Sequence, residues 1–262
     1  MNCSAYDGFM PEFFGTLRQV FQRVVVIAYV RERAAFFAAS YNQWVKALVY
    51  SGDFQSYLDR VLQGNQAQMH YTRSLTTWAD ASDTALYMPL PAPAQSHSIE
   101  KEFLAALGIE PTRFSSFEKP AYNATNASIG PLALLAYRIT KDRLDEMDWF
   151  DPYNLRAREP LNTALLTWAG QYGWNENRPQ LVDAVRLAAI RQVFGREDER
   201  FAQRFFSCSW SEVFDDEVRV VDTNECSYEA LSQTQRGTVD EFVDRAVDLA
   251  ATLYSDSAIK PT

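Results

Sequence analysis

The chain has 262 residues, 47% of them hydrophobic and 14% aromatic. That is enough for one large domain or two small ones around a real core, and it excludes chain-wide disorder. A formal net charge of −9 argues against a non-specific nucleic-acid binder, which needs a broad basic surface, and leaves room for a local arginine cluster around a small anion.

Residues 1–7 are expected to end a strand and turn. A helix is predicted over residues 11–22, because Phe13, Phe14, Leu17, Val20 and Phe21 recur at helical spacing and Pro11 suits a first turn. Residues 24–30, Val-Val-Val-Ile-Ala-Tyr-Val, are a continuous apolar run of the kind that lies buried on both faces of a parallel sheet. The charged turn Arg31-Glu32-Arg33 follows, then an alanine- and aromatic-rich helix over residues 34–49. Strand, short turn and helix make half of a βαβ unit. In open parallel sheets ligands collect at the carboxyl ends of the strands, where a helix N-terminus also draws anions.

Further helices are expected at residues 53–62 and from 69 to 78, with a second short strand at 85–88. The run Pro89-Leu90-Pro91-Ala92-Pro93 forces an extended loop. A helix at 99–107 closes on Gly108, and a polar loop at 122–130 leads into a helix at 132–144. Residues 148–160 read as irregular, proline-punctuated chain and mark the weak seam of the molecule. Beyond them come a helix at 161–172 and one long helix at 179–206. The apolar stripe of the long helix takes in Leu181, Val185, Ala188, Ala189, Val193, Phe201 and Phe205. Residues 218–221 read as a strand or an extended segment, and a last amphipathic helix at 238–254 carries an acidic outer face.

The three cysteines, Cys3, Cys208 and Cys226, stand far apart without a CxxC, so neither a disulfide framework nor a zinc site is expected. The sequons at Asn2, Asn123 and Asn126 read as ordinary polar turns. No basic-then-apolar leader opens the sequence, and the longest apolar stretch has only a strand's length. The expectation is a soluble, cytoplasmic protein with no membrane span. No GxSxG, GxGxxG, Walker loop or HExxH occurs. Trp149, Trp168, Trp174 and Trp210 read either as core or as the lining of a glycan or lipid pocket.

Two readings are open for the turn after residues 24–30. Arg31, Arg33 and Ser40 could hold a phosphate, since a guanidinium at a strand's end binds an oxyanion through two parallel hydrogen bonds. The plainer reading, which the residue types alone favour, is two solvated arginines and a small packing residue. The same pair of readings applies to His70 and His97, as general base or as surface residues, and Asp7 is a further candidate base.

The stretch VVVIAYVRERAAFFAASYNQWVK, residues 24–46, resembles the 3′-phosphate element of sulfotransferases, a strand ending in arginine with a serine two helical turns later. It is most similar to the bacterial sulfotransferase-like branch. Tyr71-x-x-x-Leu75-x-x-Trp78 is similar to that family's Y-x-x-x-L-x-x-W helix, and the strand at 85–88 follows where the family has one. Residues 102–109 resemble its "FLGL" helix end, residues 122–128 its "N-x-S" loop, and residues 199–206 the "A-R-R-F-F" helix end of that branch. The resemblance covers about residues 1–210. It departs from the family at two points. The K-T-G-T-T/S loop that wraps the donor's 5′-phosphosulfate has no counterpart, so the chain is expected to begin past it, as a truncated product, a late start or a derived non-enzyme. Eight residues beyond Arg31 stands Ala39. Ser40 is one place late, which on a helix turns its hydroxyl by about 100°.

The resemblance implies a helix-rich α/β protein with an incomplete P-loop-NTPase-like three-layer sulfotransferase fold. Residues 1–147 would form the core, without its first strand and phosphate loop, and residues 148–262 a helical extension packed on it. It implies transfer of a sulfuryl group from 3′-phosphoadenosine 5′-phosphosulfate to a hydroxyl of a carbohydrate or small molecule, without a metal. Arg31, Arg33, Ser40, Tyr71, Asn126 and Ser128 would border the nucleotide or acceptor, with His70 or Asp7 as base. The alternative is a non-catalytic relative that binds a glycan or a protein. No nucleic-acid partner is expected.

Overall fold

The structure is a computed structural model that describes residues 4–64, 70–90, 99–110, 128–214 and 222–257. In chain order the elements are α1 (Ser4–Val20), β1 (Val25–Val30), α2 (Arg33–Lys46), α3 (Phe54–Gln63), α4 (Tyr71–Ala81), β2 (Thr84–Pro89), α5 (Ile99–Ala106), α6 (Pro131–Asp145), α7 (Leu155–Gln171), α8 (Ala184–Phe205), α9 (Trp210–Val213) and α10 (Gln233–Ser257). The architecture is helix-rich α/β, with one two-stranded parallel sheet among the described residues. Among those residues no helix is long and apolar enough to cross a membrane.

The chain divides into two compact units, each assembled from three segments. One comprises Met1–Phe36, Leu58–Pro120 and Ala184–Arg219, the other Phe37–Tyr57, Ala121–Asp183 and Val220–Thr262. The seam expected near residue 148 lies inside a single segment of the second unit.

In the first unit β1 and β2 run parallel, from Val25 opposite Thr84 to Val30 opposite Pro89. Parallel strands need a long crossover, and α2, α3 and α4 fall between these two in sequence. Both ends of the pairing are pinned. The Val24 amide donates to the Asp83 carboxylate at 2.8 Å, and the Asp83 amide returns a bond to the Val24 carbonyl at 3.0 Å. At the other end the Leu90 amide donates to the Val30 carbonyl at 2.6 Å. Phe14, Val26, Val30, Tyr87, Phe201 and Phe214 form the buried cluster over the sheet. Only Val26 and Val30 of β1 are fully buried, short of the two-faced burial expected, because β2 is its single partner among the described residues.

Three expectations are corrected here. Residues 4–7 belong to α1 and not to a strand end; the segment Ser4 to Met10 holds no β-branched residue to resist a helix. Pro160 lies inside α7, where an irregular segment was expected. Ala157, Leu161, Leu165 and Trp168 are buried at helical spacing straight past it, so tertiary burial carries the helix through the proline. The stripe assigned to α8 was rotated. Val185 is 78% and Val193 46% exposed, and the inward flank is Leu187, Ile190, Phe194, Asp198, Phe201 and Ala202.

In the second unit α10 packs on α6 and α7, with Val239, Phe242, Val243, Ala246 and Ala250 buried. The tryptophans divide. Trp168 and Trp174 lie in the aromatic packing around Phe242, 6.1 and 5.3 Å from its ring, and the Arg245 guanidinium covers Trp168 at 3.9 Å. Trp149 is exposed, against Tyr254, and in the first unit Trp210 packs on Phe214. Gly130, before α6, is sterically required, since a Cβ there would meet the Trp174 carbonyl oxygen at 1.9 Å.

Candidate functional site: the turn after β1 and the inner flank of α8

β1 ends at Val30, and α2 begins at Arg33. Between them Glu32 folds its carboxylate back onto the first turn of α2, accepting the Ala35 amide at 2.9 Å. This satisfies one of the donors that a helix start leaves open. The side chain is buried, and loss of hydration holds its carboxyl above the ordinary range. The backbone amides of Ala35 and Ala34 pull against that rise, Asp198 adds to it, and Arg191 opposes it.

Arg33 points inward. Its Nε lies 3.1 Å from each Asp198 carboxylate oxygen, and its terminal nitrogen donates to the same group. The two side chains are 1% and 4% exposed. The guanidinium also lies 4.7 Å over the Phe194 ring, a cation–π contact. Burial raises the Asp198 carboxyl; the hydrogen bond and charge of Arg33 draw it back down, Glu197 raises it and His70 lowers it. Ridge residues of α8 thus grip the β1–α2 turn through a buried ion pair.

One residue along α8, Glu197 takes up His70. The imidazole Nδ1 donates to Glu197 Oε2 at 2.7 Å, and the Arg73 amide donates to the other oxygen at 3.3 Å. The His70 ring packs on Phe194 with centroids 5.2 Å apart. With Nδ1 held by a carboxylate, Nε2 is the nitrogen left to accept a proton, which is the arrangement of an oriented general base. Both partners are 28% exposed, so the pair is open to a solute.

Of the residues expected from sequence, the structure therefore brings His70 and Arg33 together about Phe194. Arg33 is buried and engaged by Asp198. Arg31 is half-buried in the turn, and burial lowers its pKa; arginine still keeps its charge. Ser40 is half-buried on α2 beside the Tyr57 hydroxyl, a packing position. Tyr71 is the first residue of α4, and Asp7 stands in the first turn of α1. Ser128 is exposed ahead of Ile129, while Asn126 and His97 fall outside the described residues. Asp151 accepts the Tyr153 amide at 2.9 Å and serves its own turn. Phe194, Glu197 and Asp198 were missed by the sequence reading. The available signal was an Asp at helical spacing between Phe194 and Phe201.

Taken together, the fold and site define a helix-rich α/β protein with a charged turn closing a short parallel sheet. Comparison with protein-family models, with curated proteins and with solved structures gives no match for this chain.

Proposed function

We propose that this chain is a sulfotransferase-like protein that takes a 3′-phosphoadenosine nucleotide at the carboxyl end of β1. The observation that carries this reading is the place of Arg31: a half-buried guanidinium immediately beyond a parallel strand and just ahead of a helix N-terminus. The ordered run of family-like motifs from Val24 to Phe206 supports it. In the transferase form, His70, oriented by Glu197, takes the proton of the acceptor hydroxyl. The acceptor oxygen bonds to sulfur as the bond from sulfur to the 5′-phosphate oxygen breaks, releasing 3′-phosphoadenosine 5′-phosphate. The acceptor is a carbohydrate or small-molecule alcohol.

Thermal melting with 3′-phosphoadenosine 5′-phosphate tests the reading, since a ligand that binds only the folded state raises the melting temperature by mass action. The expected result is a rise that Arg31→Ala removes, with a loss of about 1.5–3 kcal/mol, the value of a charge-assisted contact. A second reading, a non-catalytic relative acting as a glycan- or protein-binding module, is favoured by the commitment of Arg33 to Asp198. Absence of any shift at millimolar nucleotide ends the transferase reading and leaves the second.

A further inference from the structure

The flank of α8 turned away from the buried stripe lines an open groove of about 890 Å³. Four arginines run along it: Arg191, Arg196, Arg200 and Arg204. At about 1.5 Å per residue they span roughly 20 Å, with Arg196, Arg200 and Arg204 one helical turn apart, roughly 6 Å. Arg204 is paired with Asp80, and Arg191 lies within the field of Glu32. Arg196 and Arg200 are exposed and form no ion pair among the described residues. Like charges four apart on a helix repel, so this placement weakens the helix that carries it. It stands out on a chain of net charge −9.

A second observation points to an occupant. Gly195 lies on the groove in mid-helix, yet a Cβ there would meet nothing within 4 Å. Glycine weakens a helix interior relative to alanine, and no neighbour demands it here. Its missing side chain lets a ligand reach the helix backbone between the arginines. The rest of the described lining consists of Gln192 and Gln203, whose amides donate to and accept from hydroxyls, and Glu199, which accepts from Gln203 Nε2 at 3.3 Å and from the Trp210 amide at 3.0 Å. No aromatic ring is among the described lining residues, which offer no platform for stacked bases and do not suit single-stranded nucleic acid.

We propose that this groove is a binding site for an acidic polysaccharide, its anionic groups on the arginines and its hydroxyls on the glutamines. The site is independent of the nucleotide reading, which is tested at Arg31. Isothermal titration of the full chain with a heparin-derived oligosaccharide at low salt is expected to show binding that weakens as salt rises. Arg196→Ala with Arg200→Ala is expected to weaken it by about tenfold or more with a melting temperature no lower than the parent's, since both residues are exposed and their removal relieves the repulsion along the helix. Gln192→Ala with Gln203→Ala is expected to remove the preference over polyphosphate of matched charge, and Arg31→Ala to leave glycan binding intact. The proposal is overturned if the oligosaccharide does not bind at low salt, or if the arginine variant binds equally well. Equal or tighter binding of polyphosphate or single-stranded DNA by the unaltered chain overturns it too.

Discussion

The Arg33–Asp198 pair lies 165 residues apart in sequence, and both side chains are almost wholly enclosed. Removing one partner leaves the other charge buried. Asp198→Ala is therefore expected to destabilise the chain by about 3–5 kcal/mol, read from urea unfolding, whereas replacing both residues by Met and Leu should be close to neutral. Glu32 supplies a pH dependence of defined sign. Its carboxyl titrates above its ordinary value of 4.5, so between that value and the higher folded one the native state holds a proton that the unfolded chain has released. Its contribution is fully present below the ordinary value and is lost as pH rises through the folded one. Glu32→Gln keeps an acceptor for the Ala35 amide and removes the charge. The variant should gain stability relative to the parent chain as pH rises from the carboxylate range to neutrality, measured by unfolding at a series of pH values. At this scale little of the site could be read in advance. Arg31 and His70 were visible as candidates because a cation after an apolar run and a scarce histidine are local signals. Asp198 and Glu197 were not, because each is defined by a partner far away in the chain.

Among the elements, β1 was the most legible: five β-branched or aromatic residues and one alanine leave few alternatives to a strand. α8 was legible as a helix and misread in its face. An apolar-only criterion admits Val185 and Val193 and passes over Asp198, which occupies an inward position because Arg33 neutralises it. α7 shows the opposite conflict. Pro160 has no amide to donate to the Arg156 carbonyl and its ring crowds that turn, yet the helix continues because its buried stripe lies elsewhere. Pro160 is itself exposed, so Pro160→Ala restores the donor without disturbing packing. The expected outcome is a gain on the order of 1 kcal/mol, the recovered backbone bond exceeding the added freedom of the unfolded chain, and chemical unfolding of the two proteins checks it.

For the whole molecule, each unit draws on three separated segments, an interleaving that no local pattern reveals. A seam read from prolines near residue 148 looks for consecutive domains. The contacts that close these units join residues such as Ser51 to Arg138 in one and Arg33 to Asp198 in the other. A chain ending at residue 183 would lack Ala184–Arg219 of the first unit and Val220–Thr262 of the second. It should show no cooperative melting transition by circular dichroism, because neither core would be complete.

The distance along the chain between Arg33 and its acid also has a meaning in time. At typical elongation rates the ribosome delivers Asp198 on the order of ten seconds after Arg33. Through that interval the guanidinium lacks the Asp198 carboxylate, so the ion pair that buries the turn closes only after more than half of the polypeptide has been added beyond Arg33.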